Sequence, residues 1–148
     1  MIDLAGKIEG GYVKDAVIRA IVARWPDAKV YEEEIAQGLE TPCFLVFEIN
    51  AIEKKALDKQ RERTHQLSVR WIPKEGSRRQ YNQCADIGND LMRVLELVNT
   101  DTEPIRATAL SYRVEKSVLL FDADYEYRMA DAGSDPKQKN LDIKEGLK

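Results

Sequence analysis

Val118-Leu119-Leu120-Phe121-Asp122-Ala123-Asp124-Tyr125-Glu126-Tyr127-Arg128-Met129 is the stretch whose reading decides the fold. Leu119, Phe121, Ala123, Tyr125, Tyr127 and Met129 fall on one side of a two-residue period, and Asp122, Asp124, Glu126 and Arg128 fall on the other. That is the pattern of a strand with one buried and one wetted face. Ile105 to Glu115 alternates Ala107, Ala109 and Tyr112 through polar neighbours, with a slip near Leu110-Ser111-Tyr112 that suggests a bulge. Only Glu115-Lys116-Ser117 separates the two runs, so they are expected to form an antiparallel hairpin.

Upstream, Tyr81, Cys84, Ile87, Gly88, Leu91, Val94, Leu95 and Val98 recur at three- and four-residue steps. This predicts a helix from near Arg78, capped by Ser77, to near Asn99, roughly 30 Å long. Thr64 to Ile72 alternates Leu67, Val69 and Trp71 against Gln66, Ser68 and Arg70, a half-buried strand. Cys43 to Asn50 (CFLVFEIN) is nearly continuous and β-prone, a strand buried on both faces. Between these two strands, Ala51 to Arg63 reads as a long polar hairpin tip, and loops of that length are commonly functional. Lys29 to Glu33 suits a short strand, and Ile35 to Pro42 a connecting loop. Val13, Val17, Ile18, Ile21, Val22 and Trp25 mark an amphipathic first helix stopped by Pro26, with Gly10-Gly11 freeing its entry.

The order is α-β-β-β-α-β-β. The expected fold is α+β: a five-stranded, mostly antiparallel (mixed) sheet with two helices packed on one face. The other face is then solvated or covered by another subunit, with Tyr125, Tyr127 or Trp71 as candidates for what is covered. Residues 1–129 form one domain in this reading, and 130–148, with Gly133, Pro136 and four lysines, form a polar tail that a partner would order.

Composition limits the function. The chain has 148 residues and a formal net charge of −3, which argues against a generic nucleic-acid binder. No apolar run approaches the roughly 18 residues of a membrane span, and the start Met1-Ile2-Asp3-Leu4 lacks the features of a secretion signal. A soluble protein made inside the cell is the expectation. Cys43 and Cys84 are read as reduced core thiols, and the single histidine, His65, beside a charged stretch, as exposed.

No phosphate loop, dinucleotide fingerprint or nucleophile elbow is present. Asp86, Asn89 and Asp90 carry a few letters of a calcium loop, but they sit inside the second helical pattern and lack the distal Glu. Glu32, Glu33, Glu34 and Glu48 with Lys54 or Lys55 loosely suggest a metal-dependent nuclease, yet such a set is common in a domain that is 33% charged. No catalytic residue, cofactor or metal is expected. More informative is Lys54 to Arg79, with nine lysines and arginines against three acids in a chain of net −3. The bland reading is a solvated hairpin face. The functional one is a docking arm that steers an acidic partner. DNA phosphate is a weaker option, because no interleaved aromatics accompany the charge.

The stretch Val30-Tyr31-Glu32-Glu33-Glu34-Ile35-Ala36-Gln37-Gly38-Leu39-Glu40-Thr41-Pro42-Cys43-Phe44-Leu45-Val46 resembles the YxEEIxQGxxxPxFFV signature of small tail terminator proteins from phages and defective prophages of Gram-positive bacteria, the PBSX-like group. The basic excursion Lys54 to Arg63, the strand end Val69 to Pro73, the long helix and the hairpin ending Asp124 to Tyr127 extend the likeness across about Tyr12 to Met129.

The resemblance implies a structural protein similar in fold to the phage lambda tail terminator. It would be a homo-hexameric ring on the head-proximal end of the tail tube, which stops tube polymerisation and offers a surface to the neck. Its partners would be itself, the tube protein and, in contractile tails, the sheath. It would be made in the host cytoplasm and carried in the particle. A head-closure or tail-completion neck protein is the nearest alternative.

A ring needs two unlike patches on each subunit. The candidate contacts are Glu32, Glu33, Glu34, Gln37, Gly38 and Leu39 on one side. On the other are Lys54, Lys55, Lys59, Arg61 and Arg63.

Overall fold

The computed structural model describes residues 10–32 and 38–130. Helix α1 (Gly10–Arg24) is followed by β1 (Lys29–Tyr31), β2 (Cys43–Lys55), β3 (Gln60–Ile72), α2 (Gln80–Val94), β4 (Leu97–Asn99), β5 (Pro104–Glu115) and β6 (Val118–Ala130). The strands make one mixed sheet of six, in the order β1-β2-β3-β6-β5-β4. β1 lies parallel to β2, and the other neighbours are antiparallel. The fold is α+β as expected, with six strands instead of five.

The extra strand comes from the end of the expected second helix. α2 stops at Val94, and Leu97–Asn99 pairs with Pro104–Arg106 instead of continuing to Asn99. Leu95 and Val98 keep helical spacing and are both buried, so hydrophobic periodicity runs on although the backbone has changed. The start shifts as well. Arg79 takes the N-cap in a left-handed conformation, while the Ser77 hydroxyl closes a turn onto the Lys74 carbonyl and caps nothing.

Cross-strand register defines the two faces. Phe44, Val46, Leu67, Val69, Phe121, Ala123 and Tyr125 form one buried cluster with Val13, Val17 and Ile21 of α1 and Cys84 and Leu91 of α2. Both helices therefore cover the same sheet face. Val22 is the exception to the α1 stripe and is exposed. Tyr125 and Tyr127 point into this core and Trp71 packs against it, so none of the three lies on the open face as expected. Both cysteines are buried, and burial pushes both thiols up.

The bulge in β5 falls between Ala107 and Ala109, ahead of the Leu110–Tyr112 slip expected for it, and β2 carries another between Glu48 and Asn50. The main departure from expectation is the polar excursion. It is a pair of 13-residue strands whose connecting loop is only Ala56–Lys59. Glu33, Glu34, Gln37 and the tail beyond Ala130 lie outside the described residues.

Candidate functional site

The basic residues singled out in the sequence sit on the distal half of the β2–β3 hairpin, and strand pairing builds this arm residue by residue. Twelve pairs link β2 to β3, from Cys43↔Ile72 to Lys55↔Arg61. Asp58 and Lys59 turn the chain in left-handed backbone (φ 60° and 61°), and the Ala56 amide donates to the Gln60 carbonyl at 2.8 Å. Leu57 at the tip is 85% exposed, an unusual place for a leucine.

Charges on the arm are sorted by partner. Glu53 accepts from Arg61 at 3.3 Å and from Arg63 at 2.8 Å, and Glu62 holds Arg128 of β6 at 2.6 Å. Lys54, Lys55 and Lys59 make no ion pair among the described residues, so the available positive charge gathers at the tip. The rest of the basic stretch lies elsewhere. Arg70 stacks over Phe47 at 5.1 Å on the sheet face away from the helices, and Arg78 and Arg79 stand at the start of α2.

Of the acidic set, Glu32 is described, and it stands at the opposite end of the sheet. Glu32 follows β1 and pairs with Lys14 at 3.2 Å, while Lys29 pairs with Glu40 at 2.6 Å. The Glu40 carboxylate raises the Lys29 ammonium, and Lys29 lowers Glu40 in return. Gly38 adopts φ 92°, open to glycine alone without strain, and Leu39 is half-buried. β1 aligns with Cys43–Leu45, so roughly 35 Å of extended chain separates Glu32 from the arm tip. Within one chain Glu32 does not meet the lysine tip.

The loose nuclease constellation does not assemble either. Glu48 and Lys54 are six residues apart along one strand, roughly 20 Å, and Glu32 is at the far end. Among the described residues, no three His, Cys, Asp or Glu side chains converge as metal ligands. No helix is long and apolar enough to cross a membrane.

Glu48 has another partner. At the root of the arm, His65 is 1% exposed, with Nδ1 against the Glu48 carboxylate and Nε2 at 3.0 Å from the Tyr127 hydroxyl, its ring stacked on that tyrosine. The expectation of an exposed histidine is wrong. The signal was available, because His65 shares the parity of Leu67, Val69 and Trp71, the buried side of its strand.

A family model described as phage tail terminator protein matches residues 12–137. No curated protein sequence matches the chain. A solved structure known only by a sequence identifier aligns over 80% of this chain and 87% of its own, at 14% identity and a TM-score of 0.36, too distant to carry an argument.

Proposed function

We infer a function from one premise: this chain belongs to the phage tail terminator protein family. That family consists of structural assembly proteins and not of enzymes, so the chain takes part in building a phage tail and is carried in the virion tail. Within that role, the proposed activity is to cap the head-proximal end of the tail tube as a homo-hexameric ring, end polymerisation of the tube and of any sheath, and present the neck-joining surface.

The observation that carries this reading is the family match, which runs from α1 past the end of β6. The geometry supports it. Among the described residues the chain places a lysine-tipped arm and Glu32 at opposite ends of one side of the sheet, two unlike patches of the sort that a closing head-to-tail interface requires.

The test uses tail tube protein polymerised with and without this chain. Expected are tubes of limited length that carry a ring at one end in negative stain. Tubes of unaltered length and bare ends would overturn the reading. Rings that bind heads but leave tube length unregulated would move the chain to head–tail joining.

A further inference from the structure

Two strand edges in this sheet have open backbone. β1 covers β2 only at Cys43–Leu45, and among the described residues no strand pairs with the outer side of β2 from Val46 to Lys55. On the opposite side, β4 covers β5 only at Pro104–Arg106, and the Ala107 amide is taken by the Glu96 carbonyl. From Thr108 to Glu115 the outer side of β5 has no partner among the described residues.

The open stretches therefore run for ten and eight residues. Each contains one bulge near its beginning, after which Asn50–Lys55 and Ala109–Glu115 are regular. Unpaired edges of that length template the addition of another strand, which is why isolated proteins blunt them. Ile49 and Ile52 are exposed on the first edge and Leu57 at its tip, apolar positions beside the bulge and the Lys54–Lys55 pair that blunt this edge in the free chain.

Strand direction selects the occupant. β2, β3, β6 and β5 are successively antiparallel, so β2 and β5 run in opposite senses. A copy rotated about an axis along the strands keeps those senses, and its β5 edge meets β2 antiparallel. That is the more stable pairing, and it leaves the next β2 edge open for the next copy.

We infer that the ring closes by strand addition, the β2 edge of one subunit on the β5 edge of the next, so that one sheet continues from copy to copy. This rests on the ring reading above and adds to it which surfaces meet. Through the ladder Val46 stands level with Tyr112 and Asn50 with Ala109, so in a rotated copy Val46–Asn50 faces Ala109–Tyr112, with β1 and β4 flanking this joint at its two ends. Main-chain hydrogen bonds supply the continuity, and the alternate side chains set the register.

The test compares the wild-type chain with Ile49→Lys/Ile52→Lys on the β2 edge and Ala109→Lys/Ser111→Lys on the β5 edge, at rising concentration, by mass photometry and amide exchange. All four positions are exposed and a lysine there blunts an edge, so circular dichroism and melting should stay near wild type. Expected are wild-type rings with slowed exchange on both edges, and monomers for each variant alone. An equimolar mixture should give heterodimers, because it retains one intact β2–β5 contact.

Rings from both variants would overturn the edge assignment and leave the ring reading standing. Edges already protected in the wild-type monomer would assign them to this chain's own remaining residues and overturn it too. A wild-type chain that stays monomeric at every concentration and on tube ends would remove the ring reading and, with it, this inference.

Discussion

Gly88 faces the ring of Tyr112, and a Cβ built there would stand 2.8 Å from Tyr112 Cδ2. Alanine gains about 1 kcal/mol of helix propensity over glycine, but overpacking costs about 1–3. Gly88→Ala should therefore destabilise the chain by about 1 kcal/mol in urea unfolding, and the sign should reverse in a Tyr112→Ala background, where the ring is gone. His65 is the second sensitive position. His65→Ala removes the partner of Glu48 and leaves a void, a loss of about 2–4 kcal/mol by the same assay.

Tyr125 adds a pH dependence. Its hydroxyl donates to the Leu95 carbonyl at 2.6 Å, and burial pushes its ionisation well above the usual tyrosine range. Because the folded value is raised, its contribution is complete below about pH 10, where the unfolded chain begins to ionise, and falls as pH rises from there. Tyr125→Phe should be less stable at pH 7 by about 1 kcal/mol and should lose less on going to pH 11 than the wild type does. An identical alkaline slope in both proteins would refute this account of Tyr125.

Among the elements, the arm differs most from its sequence reading. Charge density in Ala51–Arg63 suggests a loop, but all its charges except Asp58 and Lys59 have strand positions, and Glu53 lies opposite Arg63 and Lys54 opposite Glu62, opposite-charge pairs that support a ladder and outnumber the like pair Lys55–Arg61. Polar strands with no buried face leave no alternation to detect, so the period that marks β structure elsewhere is silent here. The turn at the tip keeps two non-glycine residues in left-handed backbone, at Asp58 and Lys59. Asp58→Asn with Lys59→Gly supplies the residues such a turn prefers, and should raise the melting temperature through a gain of about 0.5–1 kcal/mol without altering the circular dichroism of the sheet.

Helix α2 offers the converse lesson. Leu95 and Val98 are buried just as a longer helix would bury them, so hydrophobic spacing alone cannot locate its end. Pairing of Leu97–Asn99 with β5 decides it.

For the whole molecule, both helices pack on one face, the opposite face is itself buried at Cys43, Leu45 and Ser68, and the two strand edges are what the proposed assembly uses. Reversing Lys54, Lys55 and Lys59 to glutamate should weaken ring formation in mass photometry at low salt, where unscreened charge matters most. An unaltered hexamer would count against a steering role for the arm. Lys54→Glu sets like charge opposite Glu62, a small cost, but these lysines are exposed and make no ion pair among the described residues, so the melting temperature should stay within a few degrees of wild type.

Local chemistry in the sequence determined the α+β class, the helix-covered face, the buried cysteines and the last hairpin, because burial of one stripe or one strand face imprints a period of 3.6 or 2 on the residues. It also determined the family, through the Tyr31–Phe44 stretch. Tertiary structure alone decided the sixth strand, the extended arm, the His65–Glu48–Tyr127 cluster and the two open edges. Each depends on which backbone lies beside which, and hydrogen bonding between distant segments leaves no period in either of them.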